Sequence, residues 1–152
     1  MPPVQRPWRT PAAAPLFEAL IESLAVGVVA FARNGRISHA NRHARDLVGT
    51  GDSIVGARPE TWLTALRPRT ASGIAMDAED LPPLRALAGE HVHGVDVLVR
   101  VAGRDLLLAM TALPATDRRG RIRGGLVTLE DVTEWRREEA RWRRTVSMLH
   151  LG

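Results

Sequence analysis

The chain has 152 residues, 45% hydrophobic and 25% charged, which suits one compact domain with short extensions and excludes disorder throughout. All 21 basic residues are arginine and the net charge is only +4; with few aromatics to stack bases, a nucleic-acid surface is not expected. The absence of cysteine excludes disulfides, thiolate metal sites, cysteine nucleophiles and cysteinyl photochemistry.

Five prolines fall within the first fifteen residues, so residues 1–14 read as a disordered leader with few backbone hydrogen bonds to make. The uncharged runs Ser23–Ala32 and Leu106–Thr116 fall well short of the ~20 residues that cross a bilayer. Glu18 and Glu22 interrupt the first apolar segment, which makes it a poor secretory signal. A cytoplasmic protein without a membrane partner is expected.

Leu16, Leu20 and Leu24 recur every four residues, with Phe17 and Ile21 beside them, which predicts an amphipathic helix over Pro15–Leu24. Pro15 suits its first turn, and Glu18 lies toward the positive end of the helix dipole. Val26–Ala32 follows as a buried strand. Asn34-Gly35 is the signal of a two-residue type I′ turn, and Arg36–His39 reads as the returning strand. Asn41 is placed to cap a short helix over Arg42–Val48 that Gly49 closes.

Between Thr50 and Asp80 the pattern is weak, apart from a short helix over Glu60–Leu66 with Trp62, Leu63 and Leu66 on one side. Leu81–Ala88 reads as helix, with Pro82 and Pro83 in its first turn and Gly89 as its stop. Val95, Val97, Val99 and Val101 then alternate on one face of a strand, and Gly103 provides a turn. Leu106, Leu108 and Met110 continue the alternation through Leu113. A polar loop over Pro114–Gly120 leads to a strand over Ile122–Leu129. Strands broken by short helices and joined by hairpin-length turns predict an antiparallel α+β sheet.

The final segment has a different period. Val132, Trp135, Glu139, Trp142, Val146 and Leu149 fall at successive a and d heptad positions, and the other faces are nearly all Arg and Glu. Asp131 stands at the entrance, where its carboxylate can accept backbone N–H bonds. About three heptads is short for an isolated coiled coil, so the helix needs the domain or a partner to hold it.

Taken in order, these residues resemble a known family. The initial helix, Val26-Gly27-Val28-Val29, Asn34-Gly35-Arg36-Ile37, Asn41 and Leu47-Val48-Gly49 resemble the opening of a PAS domain. Leu81-Pro82-Pro83-Leu84-Arg85-Ala86-Leu87-Ala88-Gly89-Glu90 is similar to the helix before the third strand of bacterial sensor PAS domains. Gly120–Gly125 and Asp131-Val132-Thr133-Glu134 resemble their last strand and its Asp-Ile/Val-Thr junction with a signalling helix. The resemblance covers roughly Leu16–Arg144. It implies a PAS domain over 15–131, followed by an amphipathic signalling helix over 132–152. It also implies a five-stranded antiparallel sheet with small helices on one face, a small pocket, dimerisation through the flanking helices, and coupling to an output domain such as a kinase, cyclase, phosphatase or DNA-binding module. No such output domain is visible in the sequence, so the chain reads as a stand-alone PAS protein or a fragment.

The candidate chemistry is sparse. His39 and His43 straddle a helix start and read as surface residues rather than a zinc pair. His91 and His93 follow the helix where some PAS domains carry a haem ligand, but Leu81–Ala88 holds no histidine, so no haem is expected. The missing Cys and Tyr remove two photochemical sites, and Trp62 stacking on a flavin is less expected than Trp62 in the core. No cofactor is predicted. Val97, Val99, Leu108, Met110 and Trp62 either line a cavity for a small apolar ligand or are packed core. No phosphate loop, nucleophile elbow or paired carboxylates support catalysis. The sequence therefore predicts a homodimeric signal-input module, with the sensory N-terminus of a sensor kinase as the alternative and a small nucleic-acid-binding protein as a more distant one.

Overall fold

The computed structural model describes residues 14–48 and 54–150. Residues 1–13 of the expected leader 1–14, together with Gly49, lie outside the described residues, whereas Ala14 opens the first helix; the side chains of Ala14, Phe17, Glu18 and Leu63 lie outside the described side chains. The chain begins with α1 (Ala14–Ser23), β1 (Gly27–Ala32), β2 (Ile37–Ala40) and α2 (Arg42–Val48). It continues through α3 (Pro59–Leu66), β3 (Arg69–Thr70), a single 3-10 turn (Ala78–Asp80) and α4 (Pro82–Leu87). It ends with β4 (Val92–Val101), β5 (Arg104–Thr116), β6 (Ile122–Asp131) and α5 (Thr133–His150).

The strands form one antiparallel sheet in the order β2-β1-β6-β5-β4-β3. The first strand thus lies inside the sheet beside the last, and α2, α3 and α4 cross over between β2 and β4. Five strands were expected and six are present. The extra strand, β3, pairs only Arg69 with Leu98 and Thr70 with Val97. Two residues cannot carry an alternation, so their pairing is set by the neighbouring strand and leaves no local signal.

Period-two alternation turns Val29, Phe31, Val97, Val99, Leu106, Leu108, Met110, Ala112, Val127 and Leu129 to one face, where all are buried. Ala44, Leu81 and Ala86 from the helical side close onto them. Burial of a Val or Leu side chain of this kind stabilises by about 2 kcal/mol. Helix α1 is less committed: Leu16, Leu20 and Leu24 are 74%, 60% and 41% exposed, so its apolar row does not pack on the domain.

The turn between β1 and β2 differs from the expected type I′. Gly35 has φ +83°, but Asn34 is not among the residues with positive φ. The Gly35 N–H donates to the Ala32 C=O at 2.9 Å, the Ala32 N–H donates to the Arg36 C=O at 2.8 Å, and the Asn34 side-chain oxygen accepts from the Arg36 N–H at 3.0 Å. This is a longer hairpin loop with one left-handed glycine, the other common closure of such a pair. A Cβ on Gly35 would lie 2.6 Å from Pro59 Cγ. Gly35→Val therefore combines backbone strain with a clash against the start of α3, and is expected to lower stability by about 3 kcal/mol in urea denaturation. A loss under about 1 kcal/mol would show that the loop moves freely away from Pro59.

The β5–β6 connection is shorter than expected, because β5 runs on to Thr116 and takes Pro114 into the ladder opposite Gly125. β4 ends its pairing at Ala112, so one side of β5 is free there and a proline is tolerated. Asp117 organises the loop. Its carboxylate accepts from the backbone N–H groups of Arg121 and Arg119 and meets the guanidinium groups of Arg121 and Arg123 at 3.0 and 3.1 Å. The Arg121 backbone bond, with the others, holds its pKa down to about 2. A depressed carboxylate stabilises above its unfolded pKa and stops doing so as pH falls through the folded value. The Arg119 and Arg121 amide resonances are therefore expected to hold from neutral pH down to about 3 and to move only as pH approaches 2. A midpoint near the ordinary aspartate value would contradict this arrangement.

Candidate functional site

A cavity of about 500 Å³ lies between the inner face of the sheet and the helical side. Its walls include Val29 and Phe31 of β1, Ile37 of β2, Leu108 and Met110 of β5, and Val127 and Leu129 of β6. Trp62 and Leu66 of α3, together with Ile54, complete them. Trp62 leans on Phe31, with ring centroids 5.6 Å apart and planes at 58°. The volume is within the range of small-molecule sites and the lining is overwhelmingly apolar.

Of the sequence candidates, Leu108, Met110 and Trp62 line this cavity. Val97 and Val99 are buried at 0% and 1% exposure in the core beside it and are not among its lining residues. The sequence reading missed the contributions of β1 and β6, although Val29/Phe31 and Val127/Leu129 carry the same alternation that singled out β4 and β5. His39, His43, His91 and His93 are all exposed. Among the described residues, no group of three or more His, Asp or Glu side chains could hold a metal ion. No helix among them is long and apolar enough to cross a membrane.

Asn41 occupies the other end of β1. The side-chain oxygen accepts from the Ala44 and Val28 N–H groups, each at 2.9 Å, and the amide nitrogen donates to the Ile21 and Val26 carbonyls, each at 2.9 Å. One side chain thus caps α2, ends α1 and pins the start of β1. The cap itself was legible from sequence; the other three bonds were not.

The outgoing helix is rooted on β5. The Val132 N–H donates to the Leu107 C=O at 2.9 Å, and the Leu107 N–H donates to Thr133 Oγ1 at 2.9 Å. Asp131 Oδ1 accepts from the Thr133 N–H at 3.0 Å and from its hydroxyl at 2.6 Å. One turn later Arg136 lies across the Trp135 ring, 4.7 Å from its centre, with Nε 3.1 Å from Asp96 Oδ2 on β4 and Nη1 3.1 Å from Glu139 Oε2. Glu139 also meets Arg143 at 2.8 Å. The Glu139 and Asp96 carboxylates hold Arg136 above the ordinary arginine range. The Asp96–Arg136 pair spans 40 residues and had no signal in the sequence.

Val132 is buried against the domain. Beyond it the heptad row turns outward: Trp135, Trp142 and Leu149 are 58%, 70% and 76% exposed, and Glu139 and Val146 are partly covered. The tryptophans therefore do not fold back onto their own sheet.

Solved structures that resemble this one include the PAS domain of nitrogen regulation protein NR(II) from Vibrio parahaemolyticus. It matches at a TM-score of 0.55 and 24% identity, over 76% of this chain and 97% of that one. The PAS domain of a protein from Colwellia psychrerythraea matches at 0.58 and 14%, over 80% and 98%. The PAS domain of Bordetella pertussis BvgS matches at 0.51 and 20%, over 91% and 98%. A search of curated proteins gives no match in sequence. A family model described as PAS fold matches residues 21–137, well over half of the sequence, and on that match and this sheet order the chain belongs to the PAS family.

Proposed function

We propose that this chain is a PAS signal-input module: a small apolar molecule occupies the cavity, and occupancy is relayed to α5, along which two copies pair. The observation that carries this reading is the position of β5. Leu108 and Met110 form cavity wall on its inner side, while the adjacent Leu107 holds the root of α5 through both its N–H and its C=O. A shift of the strand on ligand binding therefore moves the helix root directly. The exposed row Trp135, Trp142 and Leu149 supports pairing of two helices, and the exposed Leu16, Leu20 and Leu24 support a contribution from α1. In this reading the chain is not itself an enzyme; it acts in the cytoplasm, passing its signal to an output domain or partner protein of a signalling pathway. The likeness to the PAS domain of a nitrogen regulation protein supports that setting.

Native mass spectrometry of protein taken directly from cells tests both halves of the proposal. The expected spectrum shows a dimer carrying a small neutral adduct, and refolding without the adduct changes the dimer Kd by about tenfold. A bare monomer at high micromolar concentration would overturn it.

A further inference from the structure

We infer that the cavity selects a neutral, largely apolar molecule bearing one hydrogen-bond acceptor, and that the indole N–H of Trp62 is the group that reads the acceptor. This rests on the cavity being a ligand site, as proposed above, and adds the chemistry of what fills it. Three observations converge. The volume of about 500 Å³ is room for roughly fifteen water-sized groups at about 30 Å³ each.

Among the described lining residues, Arg100 is the one that is charged. It sits between the buried Val99 and the inward Val101, so alternation turns its side chain to the opposite face. There it pairs with its cross-strand partner Asp105 at 3.2 Å, which Arg69 also meets at 2.7 Å. A charged ligand would lose its hydration inside the cavity with no opposite charge among the described lining residues to meet it.

The third observation is polar. Trp62 lines the cavity, its ring plane set by contact with Phe31, and its Nε1 is shielded from solvent with no hydrogen-bond partner among the described residues. A buried indole N–H nearly always finds a partner. Among the described lining side chains the only other hydrogen-bonding group besides Arg100 is the Thr61 hydroxyl, on the exposed side of α3. An acceptor on the ligand is the partner that this wall lacks.

The test uses matched probes on the full chain: acetophenone, and α-methylstyrene, in which a methylene replaces the carbonyl oxygen at nearly the same shape, with benzoate as the charged comparison. Binding is followed by titration of amide and indole N–H resonances. Acetophenone is expected to bind about five- to tenfold more tightly than α-methylstyrene, the effect of one hydrogen bond. The Trp62 indole proton, identified by its loss in Trp62→Phe, should move downfield with acetophenone alone. In Trp62→Phe the preference should vanish or reverse, because the carbonyl then loses water with no donor to meet it, while both probes still bind, and benzoate should bind weakest of the three. Should that variant fail to fold, the indole resonance that survives when Trp8, Trp135 and Trp142 are all replaced by Phe identifies Trp62, and its response decides alone. Equal binding of the two neutral probes, with no indole shift specific to acetophenone, would overturn the role of Trp62 and leave the cavity a ligand site. Benzoate binding as tightly as acetophenone would overturn neutrality. If no probe binds, the proposal and the ligand-site reading fall together.

Discussion

Asn41→Ala is expected to lower the stability of the domain by about 4 kcal/mol, a large part of the 5–15 kcal/mol typical of a domain. The side chain is 1% exposed and all four of its hydrogen-bonding positions are used. Removing it leaves the Val28 and Ala44 N–H groups and the Ile21 and Val26 carbonyls without those partners, in a place with little water. The Ile21 carbonyl keeps the Leu24 N–H at 3.3 Å; each of the other three costs about 1–3 kcal/mol as a buried orphan, and partial hydration of the gap keeps the sum toward the low end. Room to relax is small, since α2 lies close on β1: a Cβ on Gly27 would sit 3.0 Å from Ala44 Cα. Urea denaturation measures the loss, and a change under about 1 kcal/mol would show that α1 and α2 are held by other contacts. Asn41→Asp makes a sharper comparison. It keeps the acceptor for the two N–H groups but turns a carboxylate oxygen toward two carbonyls, so at neutral pH it should be at least as damaging as alanine despite its nearly identical shape.

The same residue shows how far the sequence could be read. Its position before Arg42–Val48 announces a helix cap, because the consequence is local and three residues away. Its bonds to Ile21, Val26 and Val28 depend on how α1 and β1 come together, and nothing nearby encodes that. The hairpin repeats the lesson. Asn-Gly fits two loop geometries, and here the glycine that takes the left-handed conformation is also packed against Pro59, a contact 24 residues ahead in the chain.

The long strands β4, β5 and β6 were legible because each presents enough alternating residues to show a face. Alternation identifies a face but not which part of it stays open. Val97 and Val99 share their face with Leu108 and Met110, yet only the latter two line the cavity, because the placement of the helices over the sheet decides what is filled. The heptad row of α5 was equally plain in the sequence. Its attachment through Arg136 and Asp96 was not, since a single pair of charges leaves no period.

Replacing both tryptophans of α5, Trp135→Ala with Trp142→Ala, is expected to weaken the proposed dimer by at least about a hundredfold. At 58% and 70% exposure they are, among the described residues, the two largest apolar side chains that the domain leaves uncovered, and each offers the area of a hot-spot residue. Neither packs on the sheet, so sedimentation should shift to the monomer while the far-ultraviolet circular dichroism of the domain is largely unchanged. Glu139 lies between them on the same row, already held by Arg136 and Arg143 at 3.1 and 2.8 Å. Those pairs reduce the cost of bringing a carboxylate to a helix seam but do not remove it, because three charged groups must still lose water. Glu139→Leu should therefore tighten the dimer, with Arg136 keeping Asp96 as partner and Arg143 free to extend into solvent. The two experiments move in opposite directions along one row of residues, which separates a helix seam from a general loss of solubility or fold. If the wild type sediments as a monomer at high micromolar concentration and neither substitution changes its mass, α5 is not an interface between copies, and its tryptophans are exposed for some other partner.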